Sequence, residues 1–406
     1  MNDLRLGVIG LGVRSDLVDL VHRPGSGSRI VACCDRDPVL LDKARDRFGS
    51  GVLAVTDHRD LLQSGLDGVF VLTPDHTHEA IGLDFLRAGV PVFVDKPLAI
   101  TTAGCDRLLT AAREHGTRLY VGHNMRHMPV VTAMRQAIAD GQIGEVKAIW
   151  CRHFVGHGGD FYFKDWHADR RNTTGLLLQK GAHDIDVIHW LAGGYSRRVN
   201  AMGGLVVYGD IASRRERTGE RMTDWLAPEE NWPPLSLREL NPVVDVEDLS
   251  MMQMQLDNGV FASYEQCHFT PDYWRNYTVI GTEGRLENFG DSDGAVIKVW
   301  KRRSDYRADA DITLTVPTTP GTHGGADPVL VQEFLRFIDT GGTTVTSPVA
   351  AREAVAAGHA ATVSLRSGGQ LVEVPPPDPA DAAYFDGGQT PLPTTGPHTG
   401  ESAGGK

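Results

Sequence analysis

Cysteine is scarce in this chain, aromatic residues are few, acidic groups outnumber basic ones, and no apolar run approaches the length of a bilayer span. Each shortage removes a class of protein. The five cysteines (Cys33, Cys34, Cys105, Cys151, Cys267) are an odd set without metal-ligand spacing, which reads as reduced, buried thiols and as neither a disulfide framework nor a metal site. A formal net charge of -12 argues against nucleic acid and anionic membrane as partners. The sequence runs straight into an apolar strand pattern without a charged-then-apolar leader, so a cytoplasmic protein is expected. At 406 residues the chain exceeds what one hydrophobic core usually supports, and two domains are expected.

What is present begins with a strand, a glycine turn and a helix. Leu4, Leu6, Val8 and Ile9 lead into Gly10-Leu11-Gly12-Val13-Arg14-Ser15, followed by Leu17, Leu20 and Val21 at helical spacing. In that context the glycines have a use: Gly10 permits the tight turn, and Gly12 lets the backbone approach a pyrophosphate at the helix N-terminus. Asp35 ends the next strand, 25 residues after Gly10, where an acidic side chain meets the adenosine ribose hydroxyls and repels a 2′-phosphate. NAD is therefore favoured over NADP, although the neighbouring Arg36 could receive a phosphate and Asp35 could be a plain loop acid. Apolar strands at Val52 to Val55, Val69 to Thr73, Val90 to Val94 and Leu119 to Val121 alternate with amphipathic helices, the pattern of a doubly wound parallel sheet.

The most informative stretch is Gly89 to Leu98. A short apolar run of the buried parallel-strand kind ends in Asp95-Lys96-Pro97, at the rim where open α/β sheets hold ligands. The proline restricts Asp95 to extended geometry, so the Lys96 ammonium has a defined direction. Thr73-Pro74-Asp75-His76-Thr77-His78 ends the preceding strand on the same rim.

Gly-Leu-Gly at 10–12, this Thr-Pro-Asp-His-Thr-His, Asp95-Lys96-Pro97, Gly122-His123-Asn124-Met125-Arg126 and Gly181-Ala182-His183-Asp184-Ile185-Asp186 occur in one order. Together they resemble the Gfo/Idh/MocA family, the glucose-fructose oxidoreductase and inositol dehydrogenase group, over roughly residues 4 to 375. The resemblance implies an NAD-binding Rossmann domain at 1–125, a substrate-binding and oligomerisation α/β domain at 126–375 with a large open, mostly antiparallel sheet, and a homodimer or homotetramer formed through that sheet. It also implies that Lys96 and His183 face the nicotinamide across a sugar or polyol, with Asp95 near the nicotinamide ribose. Gly10, Gly12, Arg14, Asp35, Thr73, Pro74, His78, Asp95, Lys96 and Asn124 are the positions expected to hold or surround the cofactor.

In the second domain, His183 and Asp186 share a helix face, so the carboxylate could orient the imidazole or contact substrate; a satisfied, half-buried histidine is the plainer alternative. Oxidation of a secondary alcohol needs a base for the hydroxyl proton, a role that suits imidazole, and a donor for the developing alkoxide, a role that suits Lys96. Many dehydrogenases of the family carry aspartate four residues before the histidine, where this chain has Gln179 followed by Lys180. That departure keeps open a redox-neutral alternative, NAD-dependent glycoside cleavage by transient C3 oxidation, elimination, water addition and re-reduction. A non-catalytic sugar or NAD sensor is a third reading. Tyr162, Trp166, His167, Arg170, Gln179 and Lys180 are the candidate sugar contacts. Lys164, Arg170, Arg171 and Lys180 suggest either a pocket for an anionic sugar or a solvated loop paired with Asp165 and Asp169. Residues 210–245 read as an insertion that covers the site or reaches a neighbouring subunit. Residues 376–406, rich in Pro, Gly and Thr, read as a flexible tail.

Overall fold

The computed structural model describes residues 3–390 apart from 218, 219, 221, 228–230, 318, 320 and 321. Its first sheet has six parallel strands: β1 (Leu4–Ile9), β2 (Ser28–Cys34), β3 (Leu53–Val55), β4 (Gly68–Val71), β5 (Val92–Val94) and β6 (Leu119–Val121). Their order, β3-β2-β1-β4-β5-β6, is that of a doubly wound Rossmann sheet. All residues of β4, β5 and β6 are buried, as near-continuous apolar strands covered on both faces must be.

The helices His78–Arg87 and Thr102–His115 cover one face of this sheet. The other face is closed by a segment from far down the chain, the helix Ala326–Thr340. Its Leu330, Val331, Phe334 and Phe337 recur at helical spacing and are fully buried. The Phe334 ring packs edge-on against Phe70 of β4 and Phe93 of β5 at 5.1 and 5.5 Å. Although residues 326–340 were assigned to the second domain, their apolar stripe completes the core of the first.

The second sheet has nine strands: β7 (Val146–Phe154), β8 (Ser196–Gly204), β9 (Leu249–Leu256), β10 (Phe261–Cys267), β11 (Trp274–Gly281), β12 (Arg285–Phe289), β13 (Val296–Trp300), β14 (Ile312–Thr315) and β15 (Val372–Glu373). Only β7 and β10 run parallel. The Asn258-Gly259 turn joins β9 to β10 as the sequence predicts, with Gly259 at φ +82°. On β9 the buried Met252 and Met254 alternate with the outward Met251 and Gln253. The helices Pro129–Ala139, Gly181–Ala192 and Pro348–Arg366 bury one face, and the other leaves Trp150, Met251 and Phe261 exposed.

Two expectations are corrected. The tail is not loose throughout: Pro379–Asp386 is a helix, with Asp378 capping its N-terminus. Tyr384 and Phe385 anchor it in the Rossmann core, and Asp381 holds Arg113 at 2.6 Å. Beyond it, the Gln389 amide pairs with both backbone groups of Leu119 and so seals the β6 edge; residues 391–406 of the expected tail lie outside the described residues. The segment after the glycine turn, Val13–Leu20, is wound as a 3₁₀ helix. Among the described residues no helix is long and apolar enough to cross a membrane, and all five cysteines are free thiols.

Candidate active site

Three carboxyl ends of the Rossmann sheet build one wall. At the end of β1, Gly10 has φ +90°, and a Cβ there would stand 2.6 Å from the Leu72 carbonyl, so the turn can pass β4 only as glycine. Nothing lies within 4 Å of where a Cβ on Gly12 would be, which leaves an open cradle of the kind a dinucleotide pyrophosphate fills. Asp35 fixes this turn by accepting from Leu11 N at 2.8 Å and Asp37 N at 2.9 Å. At the ends of β4 and β5, the buried His78 ring places its nitrogens 2.7 and 2.8 Å from the carbonyls of Pro97 and Thr73. It clamps the two rim segments together, and its role is bracing. The Thr73 hydroxyl accepts from Thr77 Oγ1, and Pro74 precedes the short turn that carries Asp75.

Lys96 stands on this rim with its ammonium directed at the second domain, where it donates to the Gln179 carbonyl at 3.4 Å. Burial lowers its pKa, and Asp75 and then Asp95 oppose that shift. Asp95 itself is held by Arg14 at 3.1 Å. Arg14 also forms a two-point contact with Asp327 at 3.0 and 3.2 Å. The Asn124 amide nitrogen donates to the same Asp327 at 3.0 Å. Arg14 and Asn124, both expected beside the cofactor, thus spend their donors on an acidic residue at the start of the helix Ala326–Thr340.

The opposite wall is the N-terminal end of the helix Gly181–Ala192. Its glycine start fits against the Tyr264 ring, 3.1 Å from where a Cβ would lie. The ammonium of Lys180, the residue before the helix, makes no hydrogen bond or close ion pair among the described residues and lies 5.9 Å from the Tyr162 ring. Burial, then Arg275 and Lys96, bring its pKa down to about 7. His183 is buried, and its Nδ1 has no partner among the described residues. Burial, and after it the positive charges of Lys96 and Lys180, hold the imidazole pKa well below the usual histidine value. It is therefore neutral near pH 7 and able to accept a hydrogen bond. Lys180, His183, Asn124 and Arg275 line a cleft of about 550 Å³ between the walls.

Asp186 is not part of this constellation, contrary to expectation. Arg126 grips it with two bonds of 2.8 and 2.7 Å, and His123 Nδ1 lies 3.2 Å away, so both oxygens are committed to a buried ion pair. Arg170 is also displaced from the expected set: it pairs with Asp245 at 3.0 Å on the exterior. Arg171 pairs with Asp169 and Lys164 with Asp160, so of the suspected cationic cluster only Lys180 faces the cleft unpaired. Tyr162 and His167 are buried, and Trp166 stacks on His167 at 3.7 Å. Lys96 and Lys180 contribute to the depressed pKa of His167, which places this ring behind the same two cations, after burial itself. From the insertion and its flanks, Tyr208, Ile211, Leu237 and Leu240 pack with Tyr162 and Phe163, so this region shores up the aromatic segment.

Sequence reasoning missed Asp75, Asp184, Arg275 and Asp327. Asp184 accepts from His153 at 2.9 Å and from Tyr264 at 3.0 Å and pairs with Arg275 at 3.0 Å, a polar cluster under the cleft floor. Asp75 lies inside a motif that had been singled out, and a short polar residue after a rim proline was the available signal. Arg275 and Asp327 sit in segments whose local sequence resembles ordinary strand and helix, so no signal marked them.

Comparison with known proteins agrees with this architecture. Residues 4–123 match the family model described as the NAD-binding Rossmann fold of the Gfo/Idh/MocA oxidoreductases, and residues 135–374 match that family's C-terminal alpha/beta domain. The inositol 2-dehydrogenase of Burkholderia multivorans is 35% identical over 193 residues, 47% of this chain and 55% of that protein, so the chain spans about half the length of this relative. A levoglucosan dehydrogenase solved with NADH and levoglucosan superposes with TM-score 0.73 at 20% identity over 92% of this chain and 100% of that one. For myo-inositol 2-dehydrogenase from Lactobacillus plantarum the values are 0.67 and 18%, over 92% and 100% of the two chains. With its glycine cradle, its rim lysine and both domain models matched in order, the chain belongs to the Gfo/Idh/MocA oxidoreductase family and carries that family's NAD-binding Rossmann domain.

Proposed function

We propose that this protein oxidises a ring hydroxyl of a sugar or glycoside with NAD as hydride acceptor. The observation that supports the reading is that Lys96, at the tip of a parallel strand, reaches the backbone of Gln179 just before the helix that carries His183, near enough for its charge to lower the pKa of this cleft-lining imidazole. Inositol and levoglucosan dehydrogenases among the similar proteins support a polyhydroxylated substrate.

NAD, when bound, supplies the hydride acceptor; the open turn at Gly12 and the acidic Asp35 are the residues that would hold its pyrophosphate and adenosine ribose. The protein's own part is to place the alcohol and move its proton. Neutral His183 accepts a hydrogen bond from the hydroxyl, and Lys96 donates to the same oxygen and stabilises negative charge as it develops. Lys180, unpaired in the cleft, fits an anionic sugar such as a uronate. The exposed Trp150, Met251 and Phe261 on the open sheet face suit association with a second copy of the chain.

One observation favours the redox-neutral reading. Lys180, with its pKa near 7, is a second base at the cleft, which a cycle that also removes a carbon-bound proton would need. Incubation with NAD and myo-inositol, levoglucosan, glucuronate or nitrophenyl glycosides separates the readings. Net NADH from a free sugar is the expected result. Nitrophenol release without net NADH would replace oxidation by cleavage, and binding without turnover would leave a sensor.

A further inference from the structure

The cleft does not end at Lys180 and His183. It continues to the turn between β12 and β13, where Asp291, Ser292 and Asp293 line it. Tyr273, just before β11, lines the same outer end, and its side chain is nearly half exposed, at 47%. An edge-on contact with His153 at 5.5 Å and a 2.8 Å hydrogen bond from its hydroxyl to Asp291 fix the ring. Asp291 is only 8% exposed; its Oδ2 accepts from Tyr273 and, at 2.9 Å, from Arg275, while its Oδ1 has no hydrogen-bond partner among the described residues. The turn that carries it is braced, since Asn288 donates to the carbonyls of Arg275 and Gly290 at 3.0 and 2.7 Å, and Asp293 accepts from Thr319 N at 3.2 Å.

Resting on the sugar reading above, we propose that this outer end is a second sugar subsite, in which Tyr273 stacks against a pyranose ring and Asp291 accepts from that ring's hydroxyls. The ring is joined by a glycosidic bond to the one held beside His183 and Lys180. The substrate is then a two-ring glycoside, with an uncharged sugar in the outer position.

Size, chemistry and charge agree with this. The cleft's volume of about 550 Å³ falls within the roughly 300–1,000 Å³ that takes ligands of drug size, and the glycine turn is not part of its lining. A pyranose carries C–H bonds on its faces and hydroxyls around its edge. The negative face of a fixed aromatic ring suits the first, and a carboxylate, through charge-assisted bonds, suits the second. A carboxylate buried to this extent with one oxygen unmatched is costly, and a hydroxyl donor would relieve that cost. Arg275 lies between Asp184 at 3.0 Å and Asp291 at 2.9 Å, so its charge is already matched. The outer end therefore offers acceptors and no free cation, and the unpaired Lys180 belongs to the inner ring.

The test measures binding without turnover. Full-length protein saturated with NADH is titrated by calorimetry with glucose and with the disaccharides cellobiose, maltose and trehalose. At least one disaccharide is expected to bind about tenfold or more tightly than glucose; if none binds more tightly, the proposal is overturned. For that disaccharide, Asp291→Asn should lower the ratio of disaccharide to glucose affinity about tenfold, and Tyr273→Ala about three- to tenfold. Should Asp291→Asn not fold because Arg275 loses a partner, the half-exposed Tyr273 carries the same comparison. A ratio that stays at the wild-type value in a folded variant would place the second ring elsewhere and overturn the assignment. A protein that prefers disaccharides but yields no NADH from any sugar with NAD would fail the dehydrogenase reading alone, and one that oxidises free sugars without gaining from a second ring would fail only this one.

Discussion

Asp75 and Asp186 are both buried carboxyls next to the same cleft, and they behave in opposite ways. Asp186 has a two-point arginine contact and a histidine within 3.2 Å; Arg126 and His123 outweigh the effect of burial and hold its pKa well below the usual carboxylate range. Asp75 has no ion-pair partner among the described residues and an unpartnered oxygen, and burial pushes its pKa up. The same division separates whole regions. Around Asp184 and Asp186 nearly every charge has a dedicated partner, which makes a rigid floor. Along the rim, Lys96, Lys180 and His183 are left without full partners and carry shifted pKa values. Fully paired charge fixes structure, and underpaired charge is available for chemistry.

Four changes would break or sharpen that contrast. The largest effect is expected from Lys96→Ala, which should lower the rate of NADH formation roughly 10²- to 10⁴-fold while the protein keeps its denaturation midpoint and its NAD affinity. A variant with wild-type turnover would take Lys96 out of the reaction.

Next in size is Asp186→Ala. It leaves Arg126 buried without its partner, and urea titration should show a loss of about 3–5 kcal/mol. Equal stability would mean that the ion pair contributes nothing to the floor.

Acidification should come third. Buried His153, His167, His183, His189 and His268 all have pKa values below the ordinary 6.5, with burial the leading cause, and those of His153 and His189 fall to about 3 and about 4. The unfolded chain therefore binds more protons than the folded one below about pH 6.5. Stability rises with pH through that window and is lost as pH falls. Asp184 and Asp186, with lowered pKa values, lose their contribution only below their unfolded value of 3.8. Denaturant midpoints that stay flat between pH 7 and pH 5 would contradict the histidine account.

The smallest effect belongs to Arg170→Ala. With the guanidinium half exposed and paired to Asp245, stability should change by less than about 1 kcal/mol, and kcat/KM for the sugar should not move. A raised KM would restore Arg170 to the substrate pocket.

Much of the fold was legible because it rests on local pattern. Apolar strands in short runs, glycine at the end of β1 and Asn258-Gly259 in a hairpin follow from steric and burial rules that act within a few residues. Lys96 was legible for the same reason, being fixed by the strand before it and the proline after it. The packing of the tail and of the helix Ala326–Thr340 was not legible because what they pack on is remote in sequence: Phe334 covers β4 and β5, and Gln389 caps a strand 270 residues earlier.

By itself, the sequence determined two domains, a parallel sheet with a dinucleotide cradle and a lysine at its rim. Only the tertiary structure decided which charges around that lysine are free. Arg126 meets Asp186 across 60 residues, and Arg14 meets Asp327 across 313. Ion pairing at short range depends on side chains brought within a few ångströms by packing, and no local pattern of residues encodes that proximity.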